Sequence, residues 1–209
     1  LLKKMIQSDI NVNINQNLRS QILEKRFYSN NKNLKIGVNL SCDRLKQRGI
    51  NDETFSSLRA ALEVLKKQGH SIIYLAHKDL DLYAYKKLGS NLFNTLINIS
   101  TYCPNEIVES YLNFDIVLGG RGHSLMIPFG IGIPIVSLTT HDKQKYFMED
   151  CQLSNFSIEI TELPQEIITL KLIESINSIS DQEKCNQTYQ LLGLNAWREF
   201  SDKIYKKVL

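Results

Sequence analysis

A guanidinium and an imidazole in one glycine-rich turn are the first feature of this sequence that could do chemistry. The turn reads Gly119-Gly120-Arg121-Gly122-His123. A guanidinium presents a planar fork of donors that suits phosphate or carboxylate, and glycines let the backbone approach such an anion without Cβ clashes. An imidazole exchanges protons near neutral pH. The turn therefore predicts a site for a small, strongly anionic ligand, with His123 as its acid or base.

Two other segments could contribute to the same site. Arg44 follows a buried apolar segment, shortly after Ser41, and would supply a second guanidinium. The segment His141-Asp142-Lys143 follows another apolar segment and begins a predicted helix, so Lys143 could meet a phosphate and His141 a substrate hydroxyl.

Each of these residues also has a simpler structural interpretation. Arg121 could pair with a carboxylate, His123 could cap its helix, and Arg44 could be a surface charge. Asp142 could be an N-cap with both of its neighbours in solvent. The DxD-like segment 79–81 is more simply the acidic start of a short helix than a metal site. The sequence contains no HxxxH or HExxH motif and no cysteine cluster, so no metal is expected.

Six apolar segments alternate with helical patterns and predict the sheet that must position these residues. The strands are expected at 34–40, 71–76, 96–99, 115–119, 133–138 and 156–160. Such alternation predicts an α/β fold, a Rossmann-like parallel sheet with helices on both faces. In the strand order 3-2-1-4-5-6 the first and fourth strands are neighbours, and ligands bind beyond their carboxyl ends. The sequence lacks GxGxxG after the first strand, which argues against an NAD or FAD domain. It also contains no P-loop and no GxSxG elbow.

Composition narrows the function further. The chain has 209 residues, 43% of them hydrophobic, and a net charge of +3, with no basic patch typical of nucleic-acid binding. Its four cysteines are far apart, as in a reducing compartment, and its longest apolar run is too short and too interrupted to span a membrane. We expect a soluble, cytoplasmic protein. Residues 1–33 are polar and Asn-rich, which predicts a connector before a main domain at 34–209.

The segment from Asp115 to Asp150 resembles the polysaccharide pyruvyl transferase family. Members carry Arg-x-His after a strand, a helix of small residues, Gly-x-Pro before the next strand, and a Lys and Phe-x-x-Asp in the following helix. The corresponding residues here are Arg121-Gly122-His123, Gly132-Ile133-Pro134, Lys143 and Phe147-Met148-Glu149-Asp150.

The resemblance implies the C-terminal half of a GT-B-like fold, with residues 1–33 as a connector or a remnant of a missing N-terminal domain. It implies transfer of pyruvate from phosphoenolpyruvate to two hydroxyls of a sugar, as a ketal, in surface polysaccharide biosynthesis, with no cofactor besides this donor. Arg121 would bind the donor anion, and His123 would be the general acid or base. Donor contacts are also expected from Arg44, Gly120, Gly122, His141 and Lys143.

One departure from the family pattern and two alternative functions stay open. Many relatives place an arginine directly at the end of the first strand, where this chain has Ser41, so the role of Arg44 is uncertain. The chain could instead belong to a GT-B glycosyltransferase, in which Glu159 or Glu162 would bind the ribose of a nucleotide sugar. It could also be a non-catalytic binding domain. Because the family's first domain is absent, we expect this chain alone to turn over nothing.

Overall fold

The computed structural model describes residues 33–43 and 45–179. Almost all of the predicted connector at 1–33 lies outside these residues. The same holds for Arg44 and for a final helix predicted at 181–208. The predictions that concern them stay predictions.

Six parallel strands form one sheet in the order β3-β2-β1-β4-β5-β6. This is the predicted order, and each strand begins and ends within two residues of its expected position. Central strands of a parallel sheet are covered on both faces, which explains why their sequences are almost continuously apolar. The strands are β1 (Lys35–Asn39), β2 (Ser71–Ala76), β3 (Thr95–Asn98), β4 (Ile116–Gly119), β5 (Ile135–Thr139) and β6 (Ser157–Glu159).

Six α-helices connect or follow these strands within the described residues: α1 (Asp52–Lys67), α2 (Leu82–Leu88), α3 (Pro104–Tyr111), α4 (His123–Gly130), α5 (Asp142–Asp150) and α6 (Gln165–Asn177). The N-cap of α1 is Asn51 rather than its acidic neighbour Asp52. Asn51 has the extended backbone that a cap requires, and its side chain accepts a hydrogen bond from the Thr54 amide at 2.9 Å.

The alternating side chains of the strands pack on two layers of helices. On one face, Val38 and Leu118 belong to a large core that includes Leu62 of α1 and Leu172 of α6. On the other face, residues of α3, α4 and α5 pack on side chains such as Val117. The predicted α/β class, with helices on both faces of a parallel sheet, is therefore confirmed. No helix within 33–43 and 45–179 combines the length and the apolar character that crossing a bilayer requires.

Candidate functional site

The loops that leave β1 and β4 meet at the carboxyl edge of the sheet, as the strand order predicts. Asn39 and Gly119, the last residues of these strands, are paired across the ladder. The next amide, of Gly120, donates a hydrogen bond to the Asn39 carbonyl at 2.8 Å. Helix α4 begins at His123, one residue earlier than predicted, so the Arg121 loop is also the entrance to a helix. Its first N–H groups have no acceptor within the helix and form a positive dipole end.

Arg121 lies at this edge, with its guanidinium bonded to two carboxylates. Its Nε lies 2.9 Å from Asp81 Oδ2 and its Nη2 lies 2.6 Å from Asp81 Oδ1. Its Nη1 donates to Asp43 Oδ2 at 2.5 Å. The side chain of Arg121 is only 11% exposed. We call Arg121, Asp43 and Asp81 the ion-pair cluster.

The ion-pair cluster corresponds to the simpler interpretation of Arg121, in which the guanidinium pairs with carboxylates. Burial opposes the charged guanidinium, but its hydrogen bonds to the carboxylates of Asp81 and Asp43 outweigh this effect and raise the pKa of Arg121. The hydrogen bond from Arg121 lowers the pKa of Asp43, so both partners stay charged at neutral pH. Binding of a donor by Arg121 stays a prediction.

Asp81 is the residue that the sequence analysis missed. Its side chain is fully buried and accepts hydrogen bonds from the amides of His77, at 3.1 Å, and Lys78, at 3.2 Å. The Asn39 amide group donates to it at 3.3 Å, and the Tyr74 hydroxyl donates to its backbone carbonyl at 2.8 Å. One feature of the sequence could have indicated Asp81: it follows β2, which neighbours β1 in the sheet. In a parallel sheet the loops that leave these two strands reach the same edge.

Two histidines of different character lie near the ion-pair cluster. His123 is exposed at the start of α4. His77 is hydrogen-bonded through Nε2 to the buried hydroxyl of Tyr111. Burial lowers the pKa of His77 to about 4; the charge of Asp81 opposes this shift, and the charges of Arg121 and His123 reinforce it. His77 is therefore neutral at physiological pH, and the exposed imidazole of His123 is the better placed for proton exchange with a ligand.

The glycines of the turn differ in what they allow. A Cβ on Gly119 would lie 2.7 Å from the Ser124 carbonyl oxygen, and one on Gly120 would lie 2.9 Å from the Asn39 carbonyl oxygen. The close approach of these two glycines is therefore to protein backbone, and a donor contact by Gly120 stays a prediction. A Cβ on Gly122 would meet nothing within 4 Å, so Gly122 is the glycine beside open space.

The other predicted contacts, His141 and Lys143, lie where the loop that follows β5 enters α5. His141 is the N-cap of α5, and its Nδ1 accepts a hydrogen bond from the Lys143 amide at 3.1 Å. The alternative with Asp142 as the cap is therefore wrong by one residue. All three residues are exposed, and no hydrogen bond or ion pair found among the described residues links them to Arg121.

Other chemical groups at this end of the sheet do not form a second centre. Burial raises the pKa of the Cys42 thiol to about 11, so it is not a nucleophile at neutral pH. Within residues 33–43 and 45–179, no three His, Cys, Asp or Glu side chains are grouped as metal ligands would be. A small cleft of about 120 Å³ lies beside β6. Its lining includes Lys145, Glu149 and Glu159.

Comparisons with known proteins bear on the fold. No family model matches the chain, and no curated protein matches it. Among solved structures, a mutant O-GlcNAc transferase of Thermobaculum terrenum is similar over 75% of this chain, with a TM-score of 0.52 and 10% sequence identity. The match covers 32% of that chain, so this chain spans about a third of its length. At this identity the likeness shows the fold alone, and it agrees with the predicted Rossmann-like half of a GT-B-like architecture.

Proposed function

We propose that this chain is the donor-binding domain of a transferase that moves pyruvate from phosphoenolpyruvate to a saccharide as a ketal. The observation that carries the proposal is the meeting of the β1 and β4 exit loops. At this point Arg121 and the exposed His123, with Gly122 between them, lie at the amino end of α4. An arginine, a helix N-terminus and an imidazole together suit a small anion that must receive a proton.

The charge of phosphoenolpyruvate suits the N–H groups of Arg121 that the ion-pair cluster does not use. A guanidinium has five N–H donors, and the bonds of the ion-pair cluster use three of them. One N–H on each terminal nitrogen is left for a ligand. Phosphoenolpyruvate carries a phosphate and a carboxylate on three carbons. We assign one of these anions to Arg121 and the other to the amide groups at the start of α4.

His123 would move the protons of the reaction. Protonation of the donor's methylene carbon leaves an oxocarbenium-like centre at the neighbouring carbon, which a sugar hydroxyl attacks. A second hydroxyl of the same sugar then replaces the phosphate. The imidazole takes up the proton of the first hydroxyl in exchange for the one it gave, and the proton of the second hydroxyl leaves with the phosphate. A side chain in this role contributes on the order of a hundred- to ten-thousand-fold in rate. Gly122, beside open space, lets the donor lie close to the loop.

The test is a titration of the chain with phosphoenolpyruvate and, separately, with a nucleotide sugar. We expect phosphoenolpyruvate to raise the midpoint of thermal unfolding, because a ligand at about 100 times its Kd adds about 2.7 kcal/mol of stability. Arg121→Lys keeps the charge beside Asp81 but loses the planar fork, so it should lose most of this protection. Arg59→Lys is the matched control, since Arg59 pairs only with Glu63 on the surface of α1. Protection by the nucleotide sugar alone would refute the proposal.

A glycosyltransferase that uses a nucleotide sugar is the second candidate, and the likeness to an O-GlcNAc transferase favours it. Glu159 lines the cleft beside β6, where an acidic residue could meet a ribose. This cleft, at about 120 Å³, is smaller than the roughly 300 Å³ at which ligand pockets begin. Its lining has no guanidinium and no imidazole, the two groups that carry the proposal at the Arg121 edge. The nucleotide-sugar titration decides between the two candidates.

A further inference from the structure

The two carboxylates bonded to Arg121 are held very differently. Asp81 is fully buried and is bonded to amides of the β2 exit loop as well as to the guanidinium. The side chain of Asp43 is 29% exposed and lies on the β1 exit loop. Apart from Arg121 Nη1, its carboxylate has a cation in Lys78, whose Nζ lies 3.8 Å from the same oxygen, Oδ2. The carboxylate of Asp81 is therefore held by more groups, and is more deeply buried, than that of Asp43.

We propose that Asp43 occupies the anion subsite of this protein. A ligand carboxylate or phosphate binds Arg121 at Nη1 by displacing the Asp43 carboxylate toward Lys78, while Asp81 stays as the positioning residue of the guanidinium. The subsite is the place at Arg121 Nη1 that the Asp43 carboxylate now occupies. The identification of its ligand as phosphoenolpyruvate rests on the proposed function.

Charge balance supports an exchange rather than an addition. Among the ion pairs of this group, Arg121 and Lys78 balance Asp43 and Asp81, and the charge of Arg48 also acts on Asp43. An added anion beside two carboxylates would meet like charges at short range, which disfavours binding. When Asp43 moves to Lys78, Arg121 keeps one carboxylate and gains the ligand, and every charge still has a partner.

The cost of this exchange is small. The side chain of Lys78 is 64% exposed and lies within ion-pair distance of Asp43, so a short movement completes the transfer. Asp43, at 29% exposed, is partly screened by water, whereas Asp81 is fully buried, and an uncompensated buried charge is strongly disfavoured. Displacing Asp43 therefore costs far less than displacing Asp81.

The experiment is isothermal titration of the full chain with phosphoenolpyruvate and, separately, with inorganic phosphate at low ionic strength. Asp43→Asn removes the competing charge and keeps the shape of the side chain. We expect it to bind both anions about two- to fivefold more tightly than the wild type, the effect of removing a partly solvated ion pair. The matched control is Asp52→Asn, which removes an exposed carboxylate that pairs with Lys87 on α2, and it should bind both anions as the wild type does.

The outcomes separate this inference from the proposed function. If Asp43→Asn binds both anions no more tightly than the wild type, the subsite is refuted, even if phosphoenolpyruvate binds both proteins. If the substitution strengthens binding of inorganic phosphate and phosphoenolpyruvate has no advantage over phosphate, the subsite is supported and the proposed donor is refuted. Absence of binding by every variant refutes the subsite. Asp43→Ala is the second variant, should Asp43→Asn fold poorly by circular dichroism, and the same direction is expected.

Discussion

Two neighbouring loops at the carboxyl edge carry the same kinds of residue, but the burial and the ion pairing of these residues differ. The loop after β4 carries Arg121 and His123, and the loop after β5 carries His141 and Lys143; each loop begins a helix. Arg121 is 11% exposed and bonded to two carboxylates. Lys143 is exposed, and His141 caps its own helix.

The difference between the loops comes from a third strand. The exit loop of β2, which pairs with β1, carries the buried carboxylate of Asp81 to the guanidinium, across 40 residues of sequence. A cation therefore becomes a fixed part of a site when the sheet brings an acid to it, and residue type alone does not decide this. The predictions below test this contrast in order of decreasing effect.

The largest effect is expected when Asp81 is changed. Asp81→Asn leaves Arg121 with Asp43 as its one carboxylate partner among the described residues and should lower the free energy of unfolding by about 3–5 kcal/mol, as for a broken buried ion pair. Asp142→Asn, in the exposed loop, should cost no more than about 1 kcal/mol, since it removes only a charge near the amino end of α5. Urea unfolding of the three proteins gives both numbers. Equal losses in the two variants would contradict the contrast.

A smaller effect concerns pH. The pKa of folded His77 is about 4, below its ordinary value of 6.5, so between these values the unfolded chain binds the proton and the folded chain does not. Stability should therefore fall as pH drops from about 6.5 to 4, and the His77 part amounts to about 3 kcal/mol at most. In His77→Gln this part of the slope should disappear. Parallel stability profiles of wild type and variant over this range would show that burial does not control the titration.

The smallest effect is a difference in stability between alanine substitutions at two glycines of one loop. Gly120→Ala places a Cβ 2.9 Å from β1 backbone and should cost about 1–3 kcal/mol. Gly122→Ala meets nothing within 4 Å at a helical backbone conformation, and it should leave stability unchanged or raise it by about 0.4–1 kcal/mol. Thermal unfolding of both variants measures these changes. A destabilised Gly122→Ala would mean that the space beside this glycine is not open.

Much of the fold could be predicted from the sequence because each strand and helix of a parallel sheet has a local pattern of apolar residues. The order of β1 and β4 follows from alternating strands and helices, and it places Arg121 at the correct edge. Helix starts were less certain. His141 caps α5 where its acidic neighbour Asp142 was expected to, and Asn51 rather than Asp52 caps α1. Either residue of such a pair offers an acceptor, and only the backbone conformation decides between them.

The partners of Arg121 could not be predicted in the same way. Asp81 follows Asp79 and Leu80 at the start of a short helix, and locally it looks like any acidic helix start. Only the packing of the β2 loop against the loops of β1 and β4 buries it beside the guanidinium. The role of Gly120 was hidden for the same reason, since its close neighbour is the backbone of β1.

The central claim is that the Arg121 edge binds the anionic donor. A crystal structure of the chain grown with phosphoenolpyruvate tests it most directly. We predict a ligand oxygen at about 2.8 Å from Arg121 Nη1, a usual length for such charged hydrogen bonds, with Asp43 turned toward Lys78 and Asp81 unmoved. A ligand bound elsewhere on the molecule, with the Arg121–Asp43 pair intact, would contradict the claim.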